Sequence, residues 1–280
     1  MNDSTFRDVL RQIYNNPLTL AGIILIAALL IVALLAPFIA PSDPFATDPI
    51  NKLEPPSLNH LFGTDELGRD ILSRVLYGAR ITVRIAVLIL LISGSVGTLI
   101  GIIAGYFGGR IDNVLMRITD IFIAFPRLIL AMAISAALGP SLRNVVIALS
   151  VAQWTYFARL ARSKALVARE TDYVEAAHAV GTSDIRILRV HILPETLSPV
   201  IIQGTIIMGS IIITAAGLGF IGFGAQPPTP EWGVMVSNGR NFMPVSWWVS
   251  TFPGLAIMLT VLGFNLLGDG IRDILDPRLS

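Results

Sequence analysis

Cysteine is absent from the 280 residues. Disulfides, thiolate metal sites and cysteine nucleophiles are therefore excluded. Charge is scarce as well: Asp, Glu, Lys and Arg make up 14% of the chain and leave a net charge of +1, whereas a soluble domain carries about 25% charged residues. That shortfall excludes a disordered chain and a basic nucleic-acid binder, and the near-neutral balance gives no long-range field to select an anionic partner. Only two lysines occur, Lys52 after Asn51 and Lys164 after Ser163. Neither follows glycine, so there is no Gly-Lys-Ser/Thr phosphate loop and no basis for ATP hydrolysis by this chain. The three histidines, His60, His178 and His191, are scattered. Glu175-Ala-Ala-His178 has the Glu-x-x-His spacing of carboxylate-bridged metal sites, but a second copy on another helix is missing. No segment gathers a Ser/His/Asp set. Gly217-Leu-Gly-Phe-Ile-Gly222 matches a dinucleotide fingerprint by letter, but it ends an apolar run instead of linking a strand to a helix.

What is abundant is apolar side chain: 54% of the residues, with a mean hydropathy of +0.72. A bilayer core needs about 20 apolar residues in a helix. Six stretches qualify: Leu18–Ala40, Val83–Tyr106, Ile118–Leu138, Val145–Phe157 extending toward Arg159, Pro199–Phe220 and Trp248–Leu267. The fold class expected is an all-α membrane protein with six transmembrane helices. The first run is longer than a signal-peptide core and Pro37 and Pro41 follow it, so it reads as an uncleaved anchor. Lys and Arg set orientation. With the N-terminus inside, twelve basic residues lie inside and seven outside. The outside group includes Arg69, Arg74, Arg80 and Arg84, which oppose the assignment. Pro41–Asn59 reads as an external loop, and Gln226-Pro-Pro-Thr-Pro-Glu-Trp-Gly233 cannot be a regular helix.

The longest polar stretch between spans, Arg159 to Glu195, reads as two short helices. Asp172 fits an N-cap with Glu175 reaching back to it. Ala176, Ala177 and Ala179 propagate the helix, and Gly181 ends it in a positive-φ conformation. Thr182 or Ser183 caps the second helix, and Pro194 stops it. In the second span, Ser93, Gly97, Gly101 and Gly105 make a small-residue face suited to close helix packing. Arg127 follows Pro126 near the middle of the third span, with Asp120 one to two turns earlier. A structural pair, snorkelling and a pathway role all fit that arrangement. Gln153, Trp154, Asn144 and Gln203 are further polar or amphipathic candidates along a pathway, whereas Asn265 and Asp269 finish the last span.

Glu175-Ala-Ala-x3-Gly181-x9-His191-Ile-Leu193-Pro194 resembles the EAA loop of ABC importer membrane subunits. It departs from that pattern at His191, where Ile is usual, and at Glu195, where Asn often follows the proline. His60-Leu-Phe-Gly-Thr-Asp-Glu-Leu-Gly-Arg-Asp-Ile-Leu-Ser-Arg-Val-Leu-Tyr-Gly78 is similar to the signature of dipeptide/oligopeptide/nickel-type permease subunits. So are Gly217–Gly233 and Gly268-Asp-Gly-Ile-Arg-Asp-Ile-Leu-Asp-Pro277. The resemblance implies a type I importer fold, with one N-terminal helix and a five-helix core over 83–270. That core would contain a cytoplasmic coupling loop over 161–196. It implies a periplasmic loop and amphipathic helix over 41–82, and cytoplasmic ends over 1–17 and 271–280, in a bacterial inner membrane. A sister permease subunit, two ATPase subunits carrying ATP and magnesium, a periplasmic binding protein and membrane lipids are the implied partners; nucleic acid is not among them. Glu175, Ala176, Ala177, Gly181, Arg186, Leu193 and Pro194 would couple to an ATPase. Gln153, Trp154, Gln203 and Arg127 remain pathway candidates. Dipeptides or short oligopeptides are the implied cargo, with nickel, glutathione or modified dipeptides as alternatives. An ion-coupled secondary transporter is the competing class.

Overall fold

The computed structural model describes residues 16–275, with side chains described to residue 272. Most of the expected N-terminal segment and the final Asp276-Pro277 lie outside the described residues. Among the described residues the chain is helical, with one isolated bridge between Thr64 and Asp70. The helices are α1 (Pro17–Ile39), α2 (Ile71–Phe107), α3 (Gly109–Ile123), α4 (Arg127–Leu138), α5 (Leu142–Arg169), α6 (Asp172–Ala179), α7 (Asp184–Ile187), α8 (Leu193–Ile221), α9 (Trp232–Gly239) and α10 (Trp248–Leu275). A π-turn over Leu188–Ile192 joins α7 to α8.

Four stretches are long and apolar enough to cross a membrane: Pro17–Ile39, Ile71–Phe107, Asp184–Ile221 and Trp248–Arg272. A fifth is the pair α3 and α4, bent by 85° at the break between them. The sixth expected span falls in α5, which runs on to Arg169 and carries Arg159, Arg162, Lys164 and Arg169. Its apolar part is short because these cations begin at Arg159, while its small residues Ala152, Ala158, Ala161, Ala165 and Ala168 are buried.

Two compact units divide the chain. One comprises the residues up to Val87, Ser135–Val145 and Thr205 onward. Here α1 packs antiparallel to α10 through glycines. A Cβ on Gly22 would stand 2.6 Å from the Leu267 nitrogen, and one on Gly263 would stand 3.0 Å from the Leu25 side chain. The α1 helix begins at Asn16, whose Oδ1 accepts from the Leu18 and Thr19 N–H groups, with Pro17 preset for the first turn. The Pro-rich segments of this unit are tied down by buried charge. Asp65 accepts from Arg69 Nε at 2.7 Å, and Arg74 donates to the carbonyls of Pro44 (2.8 Å) and Pro228 (3.3 Å). The segment 226–231 is non-helical, as its prolines dictate, and α9 starts at Trp232. In place of a cut-off at Leu267, α10 continues past Asn265 and Asp269 to Leu275.

The second unit holds Leu88–Ile134 and Val146–Gly204. Its centre is the small-residue face of α2 against α5. Cβ atoms on Gly97 and Gly101 would each stand 2.3 Å from a carbonyl oxygen, that of Trp154 and Ala158 respectively. One on Gly105 would stand 2.7 Å from the Arg162 oxygen. The matched four-residue steps make the two helices parallel, and glycine alone admits that approach.

Candidate functional site

The polar loop after α5 is a two-helix device. Its first helix, α6, departs from the expected capping box. Thr171 is the N-cap and Asp172 is the first helical residue. The Thr171 hydroxyl donates to the Ala168 carbonyl at 2.6 Å and so does not cap. With the helix starting one residue early, Glu175 is out of register to reach back. The C-terminus follows expectation. Gly181 has φ +77°, its N–H donates to His178 O at 2.9 Å, and Thr182 N–H donates to Ala177 O at 3.0 Å. These two bonds form a Schellman cap. Ser183 occupies the N-cap position of α7, but its side chain makes no cap bond there.

Pro194 does not stop a helix. The Leu193 N–H bonds back five residues to Leu188 O, and this π-turn widens the backbone ladder just ahead of the proline. The missing donor and the ring are absorbed there, and α8 proceeds.

Three apolar side chains, Val174, Ile187 and Ile192, anchor the loop and are fully buried. Glu175, Ala176, Gly181, Arg186 and Pro194 are exposed, and Ala177 and Leu193 are half-buried. Val180 is 81% and Ile185 70% exposed, so the outer surface of the loop carries apolar side chains beside charged ones.

Sequence reasoning missed what holds this loop. Tyr106, in the last turn of α2, donates its hydroxyl to Asp184 Oδ1 at 2.7 Å, and the Tyr106 hydroxyl oxygen also lies 3.3 Å from His178 Nε2. Its ring stacks on His178 with centroids 6.0 Å apart. Arg169 donates to the carbonyls of Gly105 (3.4 Å) and Tyr106 (3.2 Å). One membrane-helix end thus grips both α6 and α7. The signal was an aromatic hydroxyl ending a glycine-lined helix, legible only once the glycine face is known to pack on α5. His178 is engaged here, and among the described residues no group of three metal-binding side chains converges.

The pathway candidates separate. Arg127 and Gln153 meet, with Arg127 Nη1 donating to Gln153 Oε1 at 3.1 Å. Asp120 does not pair with Arg127, because the 85° break between α3 and α4 turns the two apart; it accepts from Arg159 at 2.7 Å. Asp112 is gripped by Arg162 through Nε and Nη2. A charged side chain at mid-membrane costs about 2.5–3.5 kcal/mol on insertion scales, so these groups face protein or water. Trp154 is buried edge-on to Phe122. Gln203 is half-buried on α8. Asn144 caps the end of α4, donating to Leu138 O and Gly139 O at 2.8 Å each. Beside Arg127 lies a cleft of about 550 Å³ lined by Phe122, Phe125, Arg127, Tyr156, Arg159 and Leu160, among others.

The glycine-rich segment has a structural explanation. Glu231 caps α9, accepting from Gly233 N–H at 2.9 Å and Val234 N–H at 3.0 Å. A Cβ on Gly219 would stand 2.2 Å from its carboxylate, so the glycine is needed for that approach. Burial pushes the Glu231 carboxyl up to about 7, against the two backbone donors that lower it.

Comparison with known proteins agrees with this architecture. Residues 97–280 match the family model of the binding-protein-dependent transport system inner membrane component. Residues 4–56 match the N-terminal transmembrane domain of oligopeptide transport permease C. The chain is 47% identical to a probable D,D-dipeptide transport system permease of Escherichia coli K12, over 94% of this chain and 88% of that one. It is 45% identical to the dipeptide transport system permease of Alkalihalophilus pseudofirmus, over 99% and 91%. It is also 45% identical to the glutathione transport system permease of E. coli O6:K15:H31, over 96% and 89%. A chain of the MetNI methionine ABC transporter, in an inward-facing form, matches in fold with a TM-score of 0.57 at 18% identity, covering 74% of this chain and 98% of that one. The fold is that of a type I importer permease, and the chain belongs to the family of binding-protein-dependent transport system inner membrane components: it is a multi-pass, non-catalytic permease subunit of an ABC importer that works with other transporter subunits.

Proposed function

We propose that this chain pairs with a sister permease to form a pathway for dipeptides or short oligopeptides. An external binding protein delivers the cargo, and two ATPase subunits that bind ATP and magnesium drive the cycle. The observation that carries the coupling reading is the loop of α6 and α7. Its helix is capped at Gly181, seated on buried Val174, Ile187 and Ile192, and fastened to α2 by Tyr106. A lever transmits a displacement only if it is rigid and attached at both ends. Glu175, Ala176, Ala177 and Gly181 present the docking face; Arg186 sets its charge, and Leu193 and Pro194 lead the motion into α8. A surface ion pair contributes only about 0–1 kcal/mol, so shape fit at the alanines dominates the docking.

The N-terminus and C-terminus are cytoplasmic in this reading. The parallel run of α2 and α5 and the antiparallel run of α1 and α10 support such an alternating topology. So does burial of Arg69 and Arg74 in a cluster with Asp65 and Glu66, where two carboxylates balance two of the basic residues that count against it. Gln153, Trp154, Gln203 and Arg127 are assigned to the pathway.

Peptide cargo follows from the relatives' names. Identity alone does not separate dipeptides from glutathione, since both kinds of relative stand at 45%. Proteoliposomes holding the full complex, given labelled dipeptide, tripeptide and glutathione, decide the cargo. ATP-dependent dipeptide uptake is expected; uptake of glutathione alone would overturn the peptide assignment.

A further inference from the structure

The α3–α4 break carries Arg127, which pairs with no carboxylate among the described residues. Arg159 on one wall of the adjoining cleft is neutralised by Asp120 at 2.7 Å. Arg127, on another wall, has as its described partner the neutral Gln153 oxygen. Its guanidinium therefore has spare N–H donors. Gln153 is buried, and its Nε2 has no partner among the described residues. That leaves an unsatisfied donor one amide width from the Arg127 contact.

Arg127 also opens the 12-residue helix α4, whose first turn adds positive dipole on the same side. Apart from Thr155, the rest of the cleft is aromatic and aliphatic, with Phe122, Phe125, Tyr156 and Leu160 among its lining. Its volume of about 550 Å³ falls in the range of about 300–1,000 Å³ that holds small molecules. The backbone between α3 and α4 is non-helical inside an apolar helix pair, and such backbone within a span is tolerated only where it faces protein or a water-filled cavity.

From this arrangement we infer that the cleft is a binding station for the terminal carboxylate of a short peptide in transit, with Arg127 donating hydrogen bonds to that anion and the aromatic wall taking the adjacent side chain. The inference rests on the reading of the chain as a peptide permease subunit. End-group recognition of this kind suits a pathway that admits many side chains: the carboxylate is the one anionic group all such peptides share, and a charge-assisted contact to arginine is strong and directional.

The test uses the complete complex in proteoliposomes, with the binding protein saturated in turn by L-alanyl-L-alanine and by its C-terminal amide. Uptake is compared for the unaltered complex and for Arg127→Gln and Arg127→Lys, with assembly checked by co-purification of all subunits. Arg127→Gln is expected to lower the ratio of free-acid to amide uptake about tenfold, and Arg127→Lys to preserve most of it. An unchanged ratio, or equal slowing of both substrates, overturns the carboxylate station and leaves the peptide-permease reading standing. Failure of the unaltered complex to import either dipeptide, while another cargo is imported, overturns that underlying reading and the station with it.

Discussion

The Tyr106 hydroxyl donates to Asp184 Oδ1 across 2.7 Å, fastening the last turn of α2 to the second helix of the polar loop. The bond is charge-assisted, and such bonds contribute about 1.5–3 kcal/mol. Tyr106→Phe keeps the ring packing on His178 and removes the bond. Transport per ATP hydrolysed should fall by about tenfold or more, with membrane insertion and ATPase docking intact. Flux and phosphate release measured on the same proteoliposomes give the ratio; an unchanged ratio would remove Tyr106 from the transmission path.

Gly181 terminates α6 at φ +77°. A side chain there is strained, and Gly181→Pro also deletes the N–H that bonds His178 O. Alanine should destabilise the cap by about 1 kcal/mol. Proline should abolish coupling, as should a bulky residue at Ala177, without blocking insertion. Normal uptake by a well-expressed Gly181→Pro complex would count against the loop's role.

The glycine face separates two neighbouring positions. At Gly101 a Cβ would meet the Ala158 carbonyl at 2.3 Å, whereas at Gly94 nothing lies within 4 Å. Gly101→Ala should destabilise the chain by about 1–3 kcal/mol through forced separation of α2 and α5. Gly94→Ala should be neutral or gain up to about 1 kcal/mol from helix propensity. Thermal stability of the detergent-solubilised complex reads both, and equal effects would refute the packing argument.

Glu231 links stability to pH. Burial raises its carboxyl from an unfolded value of 4.5 to about 7, so the folded chain binds that proton more tightly. The contribution is fully present below about pH 4.5 and is lost as pH rises through about 7, by at most about 3 kcal/mol. Glu231→Gln, which cannot titrate, should lose this pH dependence while giving up one cap bond to α9. Melting temperatures at pH 5 and pH 8 for both proteins test it; parallel slopes would show that Glu231 does not titrate in this window.

The primary structure by itself determined the membrane class, the approximate spans and the loop. Apolar runs, prolines and Gly181 act locally, through burial, a missing donor and a φ sign. The face made by Gly97, Gly101 and Gly105 was legible for the same reason, because four-residue spacing on a helix needs no knowledge of the partner. Tertiary structure alone decided which charges meet. Asp120 stands seven residues before Arg127 in the chain, but an 85° break turns it toward Arg159 instead. Tyr106 and Asp184 are 78 residues apart, and no local pattern announces a bond set by the docking of one helix end on another. The expected stop at Pro194 failed likewise: the preceding π-turn, a property of how the chain enters α8, absorbs a residue that ordinarily breaks a helix.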